Sequence, residues 1–116
     1  MTEPTEHAHQ VTLLNWFDVT YPHYKGFVFA IPNGGFRYKS VAAKLKAEGV
    51  RSGVPDLFLP VPSGIYHGLF IELKTEKGKA SENQKLWIER LLSLGYQAVI
   101  CKGWQDAANK ISEYLK

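Results

Sequence analysis

Cysteine is almost absent from this chain. A single residue, Cys101, stands among 116, in the apolar run "YQAVIC", so no disulfide can form within the chain. Four histidines do not make up a zinc ligand set with it. His7 and His9 are too close in sequence to share one face of a helix, and His23 and His67 have no partner at a ligand spacing. No structural zinc is therefore expected. No apolar run reaches the roughly 20 residues that a membrane-spanning helix needs, and the polar start Met1 to Gln10 does not resemble a secretion signal. Repeats, low-complexity tracts and dividing linkers are also missing. These absences point to one domain over residues 1–116, without a membrane partner, in a reduced, cytoplasmic setting. Charge is not extreme either: the net +3 is mildly basic and admits a polyanionic partner without requiring one.

What is present is an alternation of helical and strand patterns. Val11, Leu14 and Phe17 supply a stripe for a first helix over about Pro4 to Tyr21. "FVFAI", Phe27 to Ile31, reads as a strand stopped by Pro32 and the turn Asn33-Gly34-Gly35. "SVAAKLKAEG" reads as a short helix ending at Gly49. Two apolar runs then face each other across Pro62-Ser63-Gly64. Ser81 opens a helix reaching about Leu94, "YQAVIC" is a fourth strand, and Ala108, Ile111 and Leu115 mark a closing helix. The order α-β-α-β-β-α-β-α predicts an α/β fold with a mixed central sheet flanked by helices.

The hairpin carries charges where apolar residues would be cheaper. Alternation puts Phe70, Glu72 and Lys74 on one face of their strand and Leu69, Ile71 and Leu73 on the other. A turn centred on Gly64 pairs residues equidistant from it, which sets Asp56 directly across from Glu72. Directly opposed side chains have Cβ atoms only about 5 Å apart. Two carboxylates that close repel unless a proton or a cation lies between them, and all-oxygen ligands suit Mg²⁺ or Mn²⁺. The acid-x-lysine spacing has no weight alone, since chance gives about one in a chain with this many acids and lysines. Its placement at the end of an apolar strand, with the only Pro-Asp at the start of the preceding one, gives it weight. The competing reading is a cross-strand ion pair of Asp56 or Glu72 with Lys74.

Pro55-Asp56 followed by Glu72-Leu73-Lys74 resembles the PD-(D/E)XK nuclease signature, and the chain more narrowly resembles the VRR-NUC (virus-type replication-repair nuclease) domains. The resemblance includes Glu6-x-x-x-Gln10, Asn33-Gly34-Gly35, "GVRSGVPDLFLP", "IELK", Ser81-x-x-Gln84-x-x-Trp87 and Gly103-Trp104. It implies a restriction-endonuclease-like αβββαβ core and metal-dependent phosphodiester hydrolysis in DNA. Carried over by position, Asp56, Glu72 and the Leu73 carbonyl would hold Mg²⁺ (Mn²⁺ substituting), with Glu6 reaching it through water. Lys74 would orient or help deprotonate the attacking water, and Gln84 would steady the lysine or the scissile phosphate. Stand-alone members look like phage or bacterial proteins of this size. Those that form homodimers act on four-way junctions, which makes branched DNA the expected substrate and a homodimer the expected assembly. A non-catalytic DNA-binding module on the same fold and a restriction endonuclease subunit are the alternatives.

Several of these residues also have plain explanations. Glu6 in a first helical turn complements the helix dipole. Ser81-Glu82-Asn83-Gln84 fits a capping box, in which Gln84 reaches back to Ser81. Gln10 fits a solvated helix position. Asn33-Gly34-Gly35 fits a simple turn, or a backbone passing close to a DNA phosphate. Arg37, Lys39, Lys44, Arg51, Lys77 and Lys79 would line an approach to the site, with affinity falling as salt rises, and Lys39, Arg51 and Lys77 are the expected DNA contacts among them.

Overall fold

The structure is a computed structural model that describes residues 2–32 and 39–116. The expected turn at Asn33-Gly34-Gly35, and Arg37, lie outside the described residues. Helix α1 spans Glu6–Thr20, β1 Phe29–Ala30, α2 Lys39–Ala47, β2 Leu57–Leu59, β3 Leu69–Lys74, α3 Glu82–Ser93, β4 Gln97–Lys102 and α4 Gly103–Tyr114, with a 3-10 turn at Pro22–Tyr24. The four strands form one sheet in the order β1-β2-β3-β4. The first two pairings are antiparallel and β3–β4 is parallel. This is the mixed sheet that a hairpin followed by a β-α-β step requires.

Register follows the alternation. Leu57 pairs with Ile71, Phe58 with Phe70 and Leu59 with Leu69, as expected for a turn centred on Gly64. The odd-numbered side chains Leu57, Leu59, Leu69, Ile71, Leu73 and Cys101 point into one core, where Leu13 and Phe17 of α1 and Ala107, Ala108 and Ile111 of α4 cover them. Tyr21 and Ser112 join the two helices by a 3.0 Å hydrogen bond. The even-numbered face carries Phe58 stacked on Phe70 at 4.2 Å, then Glu72 and Lys74 farther along β3. Helix α3 lies on this second face, held there by Leu91, which is buried, and by Gln84, which bonds Glu72.

Four local expectations change. Helix α1 starts at Glu6, because the Thr5 hydroxyl caps it by accepting from Ala8 N–H at 3.1 Å; Pro4 precedes the cap and is not in the first turn. Its buried stripe is His9, Leu13 and Phe17, whereas Val11 is 46% exposed. Both stripes have helical spacing and share Phe17, and the sheet and α4 select the one that contains the polar residue. Strand β1 is two residues long, not five, because Phe27 N–H turns back to the Tyr24 carbonyl at 2.9 Å and its ring packs on Tyr24. Helix α2 ends at Ala47, two residues before Gly49, whose φ of +103° takes the chain out of the helix.

Candidate active site

Asp56 is fixed from both sides before it contributes any chemistry. The loop leading to it passes so close to α3 that a Cβ at Gly53 (φ +90°) would lie 2.8 Å from the Asn83 backbone. Pro55 is fully buried next to it. The Asp56 carbonyl accepts from Ile31 N–H at 2.8 Å, which extends the β1–β2 ladder. Its carboxylate Oδ2 accepts from Leu73 N–H at 2.8 Å, across the hairpin. That bond fixes the Glu72–Leu73 peptide, one unit before the Leu73 carbonyl, the third candidate ligand.

Glu72 is the centre of the site. It is 1% exposed, on the face of β3 opposite the apolar core. Its Oε2 accepts from Gln84 Nε2 at 3.1 Å and lies 3.4 Å from Lys74 Nζ, and the lysine side chain is itself only 12% exposed. No donor among the described residues reaches the other oxygen, Oε1, which is buried. Burial pushes the Glu72 carboxyl up to about 8, and the Asp56 charge and a side-chain hydrogen bond with Asp56 push the same way; the Lys74 ammonium opposes them and does not prevail. Glu72 in this state keeps its proton at neutral pH unless a cation displaces it.

Gln84 forms the expected capping box and also bonds Glu72, rather than the lysine. The Ser81 hydroxyl accepts from Gln84 N–H at 3.2 Å and Gln84 Oε1 accepts from Ser81 N–H at 2.8 Å, a full capping box. The other end of the same amide donates to Glu72. The cap thereby aims the donor, since an Oε1 held by Ser81 leaves Nε2 pointing away from the helix end.

Of the residues expected at the site, the structure brings Asp56, Glu72, Leu73, Lys74 and Gln84 together. Glu6 is exposed in the first turn of α1, and Gln10 is half-buried one turn on. Among the described residues no three His, Cys, Asp or Glu side chains form a group that could hold a metal. Lys39 and Lys77 are exposed, at the start of α2 and in the turn after β3. Arg51 is exposed too, with its guanidinium on the Lys46 and Val50 carbonyls at 3.1 and 3.4 Å, where it ties down the end of α2. Glu3 and the buried His9 were not anticipated. The spacing of His9, Leu13 and Phe17 was the available signal.

The VRR-NUC domain family matches this chain over residues 6–105. The chain belongs to the VRR-NUC family. A solved structure described as a VRR_NUC domain protein is 33% identical to it, with a TM-score of 0.83 over 98% of this chain and 90% of that one. A second, described as a VRR_NUC domain, is 20% identical with a TM-score of 0.58 over 97% of this chain and 100% of that one, and it speaks for the fold alone. No curated protein matches the chain. Membership makes this a nuclease-family domain of the restriction-endonuclease-like fold. Among the described residues no helix is long and apolar enough to cross a membrane.

Proposed function

We propose that this VRR-NUC domain is a divalent-metal-dependent endonuclease that hydrolyses phosphodiester bonds in DNA, with Asp56, Glu72 and the Leu73 carbonyl as the metal ligands. The observation behind it is the orphaned Oε1 of Glu72, a buried carboxylate oxygen without a donor, in register with a second carboxylate. That donor set fits Mg²⁺ or Mn²⁺, which prefer oxygen ligands. When bound, the ion supplies charge against the phosphate and lowers the pKa of the attacking water.

The chain's own residues do the remaining work. Gln84 and Lys74 both engage Oε2 of Glu72, which leaves Oε1 for the proposed ion. Asp56 holds the Leu73 N–H and so the peptide between Glu72 and Leu73. Lys74 Nζ lies beside Glu72 and orients the water; once a cation neutralises the carboxylates the ammonium can give its proton to solvent, and the free amine then takes one from the attacking water. The water oxygen bonds to phosphorus as the bond from phosphorus to the leaving ester oxygen breaks, and a solvent water protonates that oxygen. Lys39, Arg51, Lys77 and the Asn33-Gly34-Gly35 segment are the proposed phosphate contacts, with Glu6 acting on the metal through water. The proposed substrate is branched DNA in replication, recombination or repair. A homodimer would supply the two sites that paired nicks on a four-way junction need.

The test is cleavage of a labelled four-way junction beside linear duplex, single-stranded and flap DNA, in Mg²⁺, Mn²⁺ or EDTA. Wild type should cut only with metal, and Lys74→Ala should lose at least about 100-fold in rate. Paired nicks on the junction, with a dimer by light scattering, would support the resolving assembly. Binding without cutting in either metal would replace the catalytic reading with a DNA-binding module, and sequence-dependent cutting would point to a restriction subunit.

A further inference from the structure

His9 is a buried histidine that the proposed chemistry leaves unused. It is 7% exposed and faces the same way on α1 as Leu13 and Phe17. Its Nδ1 accepts from the backbone N–H of Trp104, in the first turn of α4, at 3.1 Å. An Nδ1 that accepts leaves the ring hydrogen on Nε2, so Nε2 donates to Glu3 Oε2, 3.2 Å away. The same Glu3 oxygen accepts from the backbone N–H of Glu76 at 2.7 Å. Gly103 makes room for the ring. Its φ is +82°, and a Cβ there would lie 3.3 Å from His9 Cε1.

These bonds join three places that must keep their relative positions if the site is to work. One is the segment leaving β3, two residues past Lys74. Another is the junction of β4 and α4, where Lys102 pairs with Lys74 in the parallel ladder and its ammonium donates to the Gly78 carbonyl. The third is the start of α1, which carries Glu6. A pure helix cap for α4 would need His9 and nothing more, and a surface acid would have no reason to hold both the histidine and a loop amide.

We propose that Glu3 and His9 are positioning residues, a relay from Trp104 N–H through His9 and Glu3 to Glu76 N–H that holds the end of β3, and with it Lys74, against the helix carrying Glu6. This rests on the nuclease reading above. Neither side chain touches substrate in this role. They keep the lysine amine at its working depth, and small displacements of such a group reduce turnover more than binding.

Glu3→Ala and Glu3→Gln separate this role from a stabilising one, because Glu3 lies outside every helix and strand and its loss leaves the core intact. Single-turnover cleavage, Mn²⁺ affinity by electron paramagnetic resonance and amide hydrogen exchange would be measured on each. In Glu3→Ala the Glu76 amide should exchange faster, kcat should fall about tenfold, and Mn²⁺ affinity and KM for DNA should stay within about twofold. Glu3→Gln, which keeps an acceptor oxygen, should recover most of the lost rate. An active wild type with undiminished kcat in Glu3→Ala, a Gln variant as slow as the Ala variant, or a Glu76 amide unaffected by Glu3→Ala would each overturn the positioning role alone. A wild type that binds DNA and never cuts would overturn the nuclease reading and this role with it.

Discussion

Replacing Glu72 with glutamine should stabilise the metal-free protein in alkaline solution while destroying its chemistry. The folded-state pKa of Glu72 is about 8 against an ordinary 4.5. Between those values the folded protein holds a proton that the unfolded chain has released, so stability declines as pH rises. Glu72's favourable contribution is complete below the unfolded value and is lost as pH passes through about 8. The slope is about 1.4 kcal/mol per pH unit while the folded state remains fully protonated, which gives a loss of about 2 kcal/mol between pH 6 and 8. Glu72→Gln keeps the shape and an acceptor for Gln84, and it has no proton to lose. Urea unfolding of both proteins in EDTA, at pH 6 and 8.5, isolates this group from every other titration they share. The stability difference should move in the variant's favour by about 2 to 3 kcal/mol over that range. Adding Mg²⁺ at ten times its dissociation constant should return about 1.4 kcal/mol to wild type at pH 8.5 and nothing comparable to the variant. A difference that does not change with pH, or that favours wild type in alkali, would refute the account of Glu72 as a buried carboxylate under strain.

The remaining perturbations act on the supports. Gln84→Glu preserves an acceptor for Ser81 N–H and so keeps the capping box, but it loses the donor to Glu72 and adds a third acid. Cleavage should fall about 10- to 100-fold with the melting temperature nearly unchanged, and calorimetry beside a cleavage assay checks both. Gly53→Ala would force a Cβ to 2.8 Å from the Asn83 backbone at a φ of +90°, and denaturation should show a loss of about 1–3 kcal/mol together with weaker metal binding through Asp56. Phe17→Ala empties the centre of the α1–sheet contact and should cost about 3–5 kcal/mol in urea unfolding.

The β2–β3 hairpin was legible in the sequence because two simple rules act there with little interference. Period-two alternation assigned faces along β3, and the Pro-Ser-Gly turn set the register, so Asp56 and Glu72 were placed opposite one another before any coordinates. The first helix was less legible. Val11-Leu14-Phe17 and His9-Leu13-Phe17 are both good helical stripes, and a reading by hydrophobicity takes the one without a histidine. What decides between them is distant in sequence: the Trp104 amide needs an acceptor, and Gly103 leaves space for a ring. Strand β1 was overestimated for a related reason, since the aromatic contact of Phe27 with Tyr24 belongs to the preceding turn. Of the two readings of Gln84, the cap is present, and the other end of the same amide bonds Glu72.

The ion pair expected in the hairpin is present, but it does not set the state of Glu72. Lys74 lies 3.4 Å from Glu72, and a single ammonium there would hold a lone carboxylate below its ordinary range if nothing else acted. Glu72 instead rises to about 8, because one lysine cannot offset both burial and a second acid. The hydrogen bonds tell the same story atom by atom. Gln84 and Lys74 converge on Oε2, and Oε1 is left buried without a donor. A carboxyl retained only for stability would gain little from burial beside a second acid, when a leucine in its place would cost less. Burial and Asp56 instead leave Glu72 holding a proton that it shares in a hydrogen bond with Asp56, and that proton is what the proposed cation would replace between the two acids.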